Sequence, residues 1–130
     1  MSDIHVINLS TAWQPPDPAA GRAEWIRRFG MPAGIEPGDR VWLVVEPATD
    51  CELRLGGERL PAAVAGRRWR HDLTAVLRER NELALAAPVA GPPPVVTAAH
   101  GRSDLPATIG RAWLEIEPAA GGPAAARAPA

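Results

Sequence analysis

Hydrophobic residues recur at every second position in short runs along this chain. Between residues 39 and 60, Val41, Leu43 and Val45 alternate with Trp42, Val44 and Glu46, and Cys51, Leu53 and Leu55 alternate with Glu52 and Arg54. A period of two predicts strands with one face in a core. Gly56-Gly57, between Leu55 and Glu58, predicts a tight turn, because glycine reaches positive φ without steric cost.

The same reading extends in both directions. Residues 3–9 set Ile4, Val6 and Asn8 against His5, Ile7 and Leu9, a first strand. Trp13 follows, and the run Gln14-Pro15-Pro16-Asp17-Pro18 then forbids regular structure. Residues 24–29 place Trp25, Arg27 and Phe29 opposite Glu24, Ile26 and Arg28, a second strand. A short amphipathic helix is the alternative there, but Gly30 and Pro32 leave it little room. Residues 67–72 predict a short strand, and Thr74 to Leu77 one helical turn capped by Asp72 or Thr74. Arg78 to Asn81 turns the chain into a strand over 82–87 with Leu83 and Leu85 inward. Residues 88–106 form a proline-rich connector in which Val95 and Val96 add a brief edge strand. The last strand, 111–117, carries Ala112, Leu114 and Ile116 on one face. About seven short strands without a long helix predict an all-β antiparallel sandwich. It would occupy residues 1–117 as a single domain. Residues 118–130 are Ala, Gly and Pro with one Arg, too little apolar bulk to offset ordering entropy, so a disordered tail is expected.

Composition narrows the partners more than the fold. A chain of 130 residues suits one domain with one core. A net charge of −1 gives no reason to expect nucleic acid or an anionic membrane. All the basic residues are arginine and none is lysine. With the load of Ala, Gly and Pro, that reads as the codon bias of a GC-rich bacterial genome. Cys51 is the only cysteine, which excludes an intrachain disulfide. The first ten residues lack the basic and apolar segments of a secretory signal, and no apolar run approaches a membrane span. A cytoplasmic location is expected.

With the strands placed, a resemblance emerges. Its motifs are Trp25 to Phe29 (WIRRF), Arg40 to Glu46 (RVWLVVE), Cys51 to Leu60 (CELRLGGERL), His71 to Leu77 (HDLTAVL), Asn81 to Leu85 (NELAL) and Ala112 to Ile116 (AWLEI). In this order and spacing, over about residues 24–117, the chain resembles the sugar-binding jelly-roll domain of family 2 glycoside hydrolases such as β-galactosidases and β-glucuronidases. That domain is part of the wider galactose-binding-like sandwich group. Each motif is weak alone; the order carries the resemblance. It departs from the family at Gly56, where asparagine is usual, and at His71, where an aromatic residue is usual. The family's catalytic carboxylates lie in a separate barrel domain that these residues do not encode. The resemblance therefore implies a galactose-binding-like jelly-roll fold and a sugar-binding ancestry, without glycosidase activity.

Five tryptophans, with no tyrosine and one phenylalanine, are the main chemical signal. Sugar sites pair flat aromatic rings with planar polar groups that hold hydroxyls. Strand parity sets Trp42 and Glu46 opposite the aliphatic side of their run, and Trp113 and Glu115 opposite Ala112, Leu114 and Ile116. These four are the candidate ligand-binding residues. The competing reading covers both rings with loops or a partner subunit. Trp25 and Trp69 match aromatic core positions of the family the chain resembles, so the resemblance implies core packing for both, and Trp13 is either a plug or a contact. Arg27 and Arg28 point to opposite faces, and ion pairs with Glu24, Glu46 or Glu52 are expected of them. Arg67, Arg68, Arg70 and His71 make a basic strand that reads as a solvated face. Cys51 reads as a small core residue.

No enzyme chemistry is assembled. His100, Ser103 and Asp104 are triad residue types, but crowding on one loop argues against an oriented base and oxyanion hole. His5, His71 and His100 lack metal-ligand spacing, and no cofactor motif is present. Two non-catalytic roles remain. The first is protein–protein assembly, as a homo-oligomer or with another protein, through the outward tryptophans. The second is carbohydrate binding through loops or an exposed tryptophan; a stand-alone domain with no enzyme attached favours assembly of the two.

Overall fold

A computed structural model describes residues 4–16, 24–87 and 102–119. Eight strands run through them: β1 (His5–Asn8), β2 (Glu24–Gly30), β3 (Arg40–Pro47), β4 (Glu52–Leu55), β5 (Glu58–Arg59), β6 (Trp69–Asp72), β7 (Arg80–Ala86) and β8 (Gly110–Glu117). One sheet has the order β1-β8-β3-β6, the other β2-β7-β4-β5, and every pairing is antiparallel. Eight antiparallel strands in this order form a jelly-roll sandwich. The expected strand over residues 24–29 is β2, and no helix forms there.

The alternating side chains meet between the sheets. Val41, Leu43 and Val45 of β3 and Ala112, Leu114 and Ile116 of β8 face Leu53 and Leu55 of β4 and Leu83 and Leu85 of β7 in one core cluster. Trp25 joins it, as does Cys51, whose thiol burial and the nearby Asp50 push up to about 11. Gly56 and Gly57 take φ of 59° and 88°, the double left-handed geometry of a type I′ hairpin turn between β4 and β5. Among the described strands, every other consecutive pair lies in different sheets.

Trp13 is a plug. It is completely buried, its indole Nε1 donates to the Leu9 carbonyl at 2.5 Å, and its backbone bridges Ser103. Ala12, at φ 60°, turns the chain into the left-handed region just before the ring inserts. Trp69 is less enclosed than expected. It sits on edge strand β6, packs against the core cluster and stacks on His71 with ring centroids 5.7 Å apart.

Several local expectations are corrected. Arg67 and Arg68 belong to the loop before β6, because the chain turns at Gly66, whose N–H donates to the Pro47 carbonyl. Residues 74–76 do make the single turn expected there, closed by the Leu77 N–H to Leu73 O bond, and it extends into no helix. Asp72 does cap it, accepting from the Thr74 amide and hydroxyl. Burial works to raise the Asp72 pKa, but the Thr74 bonds and the Arg40 ion pair outweigh it and hold the carboxyl below its usual value. β7 begins at Arg80, two residues early, because the buried Asn81 side chain clasps the turn, bonding the Arg78 amide and carbonyl and the Phe29 carbonyl. Arg28 pairs with Glu82, its register partner on β7, and none of the three expected acids pairs with either arginine. Arg27 lies on the core-facing side of β2, where burial and then the charge of Arg102 lower its pKa. The expected edge strand at Val95 and Val96, and the tail beyond Ala119, lie outside the described residues.

Candidate functional site

The outward face of the β1-β8-β3-β6 sheet collects the candidate residues. β3 holds its odd residues in the core, so Trp42, Val44 and Glu46 project the other way. Register then builds three rows. Trp42 lies between Asp72 of β6 and Glu115 of β8. Val44 lies between Arg70 and Trp113. Glu46 lies beside Arg111. All four predicted residues, Trp42, Glu46, Trp113 and Glu115, thus share one face, as parity predicted. Val44 is completely buried yet belongs to no part of the core cluster, so the side chains around it seal it from above.

The seal is made of arginines that parity alone did not single out. The Arg70 guanidinium carbon stands 3.7 Å from the Trp42 ring centroid. Those of Arg68 and Arg111 stand 5.5 and 5.8 Å from the Trp113 centroid. Each is a cation–π contact worth about 0.5–1 kcal/mol where solvent reaches it. Glu115, 9% exposed, ties the lattice together. Its Oε2 accepts from Arg68 at 2.8 Å and from Trp113 Nε1 at 2.9 Å, and its Oε1 lies 3.7 Å from Arg70 Nε. Glu46 accepts from Arg111, Glu117 from Trp42 Nε1 at 3.4 Å, and Asp72 from Arg40 at 2.8 Å. Exposed pairs of this kind contribute about 0–1 kcal/mol each. Their effect is to hold the rings and carboxylates in fixed positions.

At the end of this face an open cleft of about 490 Å³ lies between the start of β8 and the loop before β6, lined by Glu46, Arg67, Arg68, Gly110 and Arg111 among others. Gly110 is required there. Its φ is 139°, and a Cβ would stand 2.4 Å from the Glu46 carbonyl oxygen and 2.9 Å from Pro47 Cα. A second hollow of about 420 Å³ runs along the start of β4, beside Cys51 and Ala63. It is walled largely by alanines and has no aromatic ring or guanidinium.

Of the triad residue types, Ser103 is buried with no partner for its hydroxyl among the described residues, and Asp104 is exposed. His100 lies outside the described residues.

No family model matches this sequence, and no curated protein matches it. Solved structures do match. The FMN-binding β-glucuronidase of Facaelibacterium prausnitzii L2-6 aligns at a TM-score of 0.62 and 19% identity, over 88% of this chain and 23% of that one. The chain has the fold of one segment of a β-glucuronidase. The Ruminococcus gnavus β-glucuronidase in complex with D-glucaro 1,5-lactone aligns at 0.58 and 11% identity, over 88% of this chain and 29% of its own. The Bifidobacterium dentium β-glucuronidase aligns at 0.54 and 15% identity, over 88% and 30%. This chain therefore spans about a quarter of the length of the β-glucuronidases it matches. The likeness agrees with the resemblance to family 2 glycoside hydrolases, and at these identities it establishes the fold.

Proposed function

We propose that this β-glucuronidase-like sandwich is a non-catalytic carbohydrate-binding module whose ligand lies on the outward face of the β1-β8-β3-β6 sheet. The observation that carries the reading is the convergence of Trp42, Trp113, Glu46 and Glu115 on that face, beside an open cleft. Sugar recognition needs an aromatic surface for the C–H side of a pyranose and planar donors and acceptors for its hydroxyls. Indole rings, carboxylates and guanidinium groups supply both within three adjacent cross-strand rows. The lattice of pairs also holds these groups in place before a ligand arrives, which lowers the ordering cost of binding.

The assembly reading fits this face less well. The cores of protein interfaces are depleted in charge. Here Arg40, Arg68, Arg70 and Arg111 interleave with Glu46, Asp72, Glu115 and Glu117 across the whole face. Burying that lattice against a second protein would strip solvent from every pair.

A monosaccharide and oligosaccharide panel read by thermal shift and calorimetry tests the proposal. Ligand at 100 times Kd stabilises the native state by about 2.7 kcal/mol. Trp113→Ala should weaken binding at least tenfold while leaving the far-UV spectrum unchanged. Absence of any shift across the panel at tens of millimolar would sink the carbohydrate role. Sedimentation at high concentration runs alongside, since a stable dimer through this face would favour assembly instead.

A further inference from the structure

Among the described residues, the two sheets have their edges at β1 and β6 and at β2 and β5. An edge strand turns a row of backbone donors and acceptors outward, and natural sequences blunt such rows with charge, short length or a covering segment. Three of these edges are blunted. β2 carries Arg27 and Arg28, and Gln14 pairs with Ile26 along it. β5 is only Glu58 and Arg59. β6 carries Arg70 and Asp72. β1 reads His5-Val6-Ile7-Asn8, with no arginine, acid or proline, and no described segment pairs with its outer side.

Register decides which of its backbone groups are free. Leu9, just past β1, donates its N–H to the Ala112 carbonyl at the start of the β1–β8 ladder. Bonding direction alternates residue by residue along an antiparallel strand, so His5, Ile7 and Leu9 turn toward β8. Ile4, Val6 and Asn8 turn their N–H and C=O groups the other way, where no backbone partner meets them among the described residues. Val6 and Ile4 also carry exposed apolar side chains, at 56% and 44%. Residues 4–8 match themselves. When two copies meet antiparallel about Val6, each Val6 exchanges both bonds with the other, and each Ile4 pairs with the Asn8 of the other copy. Every outward N–H and C=O of residues 4–8 is then used. A two-fold contact sets its central residue against itself, so a charge there would repel its own copy. Val6 is apolar and uncharged.

We propose that β1 is a docking edge for a second copy of this chain, joined antiparallel about Val6 so that the β1-β8-β3-β6 sheet continues through both. Pairing along so short a strand is a small contact, below the about 1,200 Å² at which stable interfaces begin, so the dimer forms as concentration rises and is not obligate. Even-numbered residues stay on one side of the joined sheet. The faces bearing Trp42 and Trp113 therefore remain uncovered and lie side by side, whatever they bind.

Sedimentation velocity on the full chain from about 10 μM to about 1 mM, a range suited to a transient complex, tests this. The expected result is a monomer that becomes a dimer. Val6→Lys puts a charge on the two-fold axis, and Val6→Pro removes an N–H that β8 does not use; each should weaken the dimer about tenfold or more. Val64→Lys, at an equally exposed valine outside the strands, should leave it unchanged. Hydrogen exchange locates the contact. The Val6 amide should exchange freely in the monomer and slow as the dimer fills, while the Ile7 amide, bonded to β8, is slower throughout. A chain that stays monomeric across the range overturns the proposal. So does a dimer that both Val6 variants leave intact; if Trp113→Ala dissolves that dimer, the contact is on the tryptophan face and the carbohydrate reading falls as well. Slow exchange of the Val6 amide in the monomer also overturns it, because the chain's own remaining residues would then cover the edge.

Discussion

Replacing Trp13 with alanine tests the packing at one end of the sandwich. The ring is completely buried, and its Nε1 donates to the Leu9 carbonyl. Truncation removes the whole indole from the core cluster and leaves that carbonyl without its partner. Large-to-small changes of this kind cost about 3–5 kcal/mol, against a total of about 5–15 kcal/mol for a domain. Trp13→Phe keeps most of the apolar volume but not the donor, and should cost about 1–3 kcal/mol, the range for a buried polar group left unsatisfied. Urea unfolding followed by far-UV circular dichroism reads both. With a slope of about 2 kcal/mol/M, the alanine variant should unfold about 2 M earlier and the phenylalanine variant about 1 M earlier. Trp42→Ala is the comparison, since that ring is half-buried on the outward face under Arg70. It should shift the midpoint by under about 1 M. Equal midpoints for Trp13→Ala and the parent chain would refute the plug. The ring would then be a surface contact of the kind the proline-flanked sequence also allowed.

Three further outcomes follow from particular contacts. Gly110→Ala forces a Cβ against the Glu46 and Pro47 backbone at a φ of 139°; strain at one such residue alone costs about 1–3 kcal/mol, so a loss above that in thermal unfolding is expected. Glu115→Ala frees Arg68, Arg70 and the Trp113 indole together; a loss of about 1–3 kcal/mol is expected, with rescue by glutamine only partial, because an amide cannot accept from all three groups at once. Cys51 titrates near 11 when folded, against 9.0 ordinarily, so the native state holds its proton longer than the unfolded chain does. Its ionisation therefore leaves stability unchanged below about pH 9 and lowers it from about pH 9 to 11, by at most about 2–3 kcal/mol. Unfolding curves across that range should converge for Cys51→Ala and the parent chain, and parallel curves would contradict the assignment.

The local pattern carried a large part of this molecule. Alternation placed Val41, Leu43, Val45, Leu53, Leu55, Leu83, Leu85, Ala112, Leu114 and Ile116 in the core, because a strand's period of two sorts side chains whatever its neighbours are. The same parity put Trp42, Glu46, Trp113 and Glu115 on the opposite side. Gly56-Gly57 marked the one hairpin that stays within a sheet, since its φ requirement is local. Boundaries slipped where a side chain reached beyond its own turn, as Asn81 does to Phe29.

Pairing and register were decided only in three dimensions. β3 meets β8 across roughly seventy residues of chain, and nothing local states that Val44 will lie between Arg70 and Trp113, or Glu46 beside Arg111. Arg68 and Arg70 read as a solvated basic run until the sheet set them over indole rings. Arg28 found Glu82 through register, not through the acids proposed for it. Trp13 became a plug because Ser103, ninety residues on, closes over the same end of the sandwich. A strand's sequence thus decides which face each side chain takes, while the partner each side chain meets depends on non-local pairing, paid for by the burial of the whole sandwich.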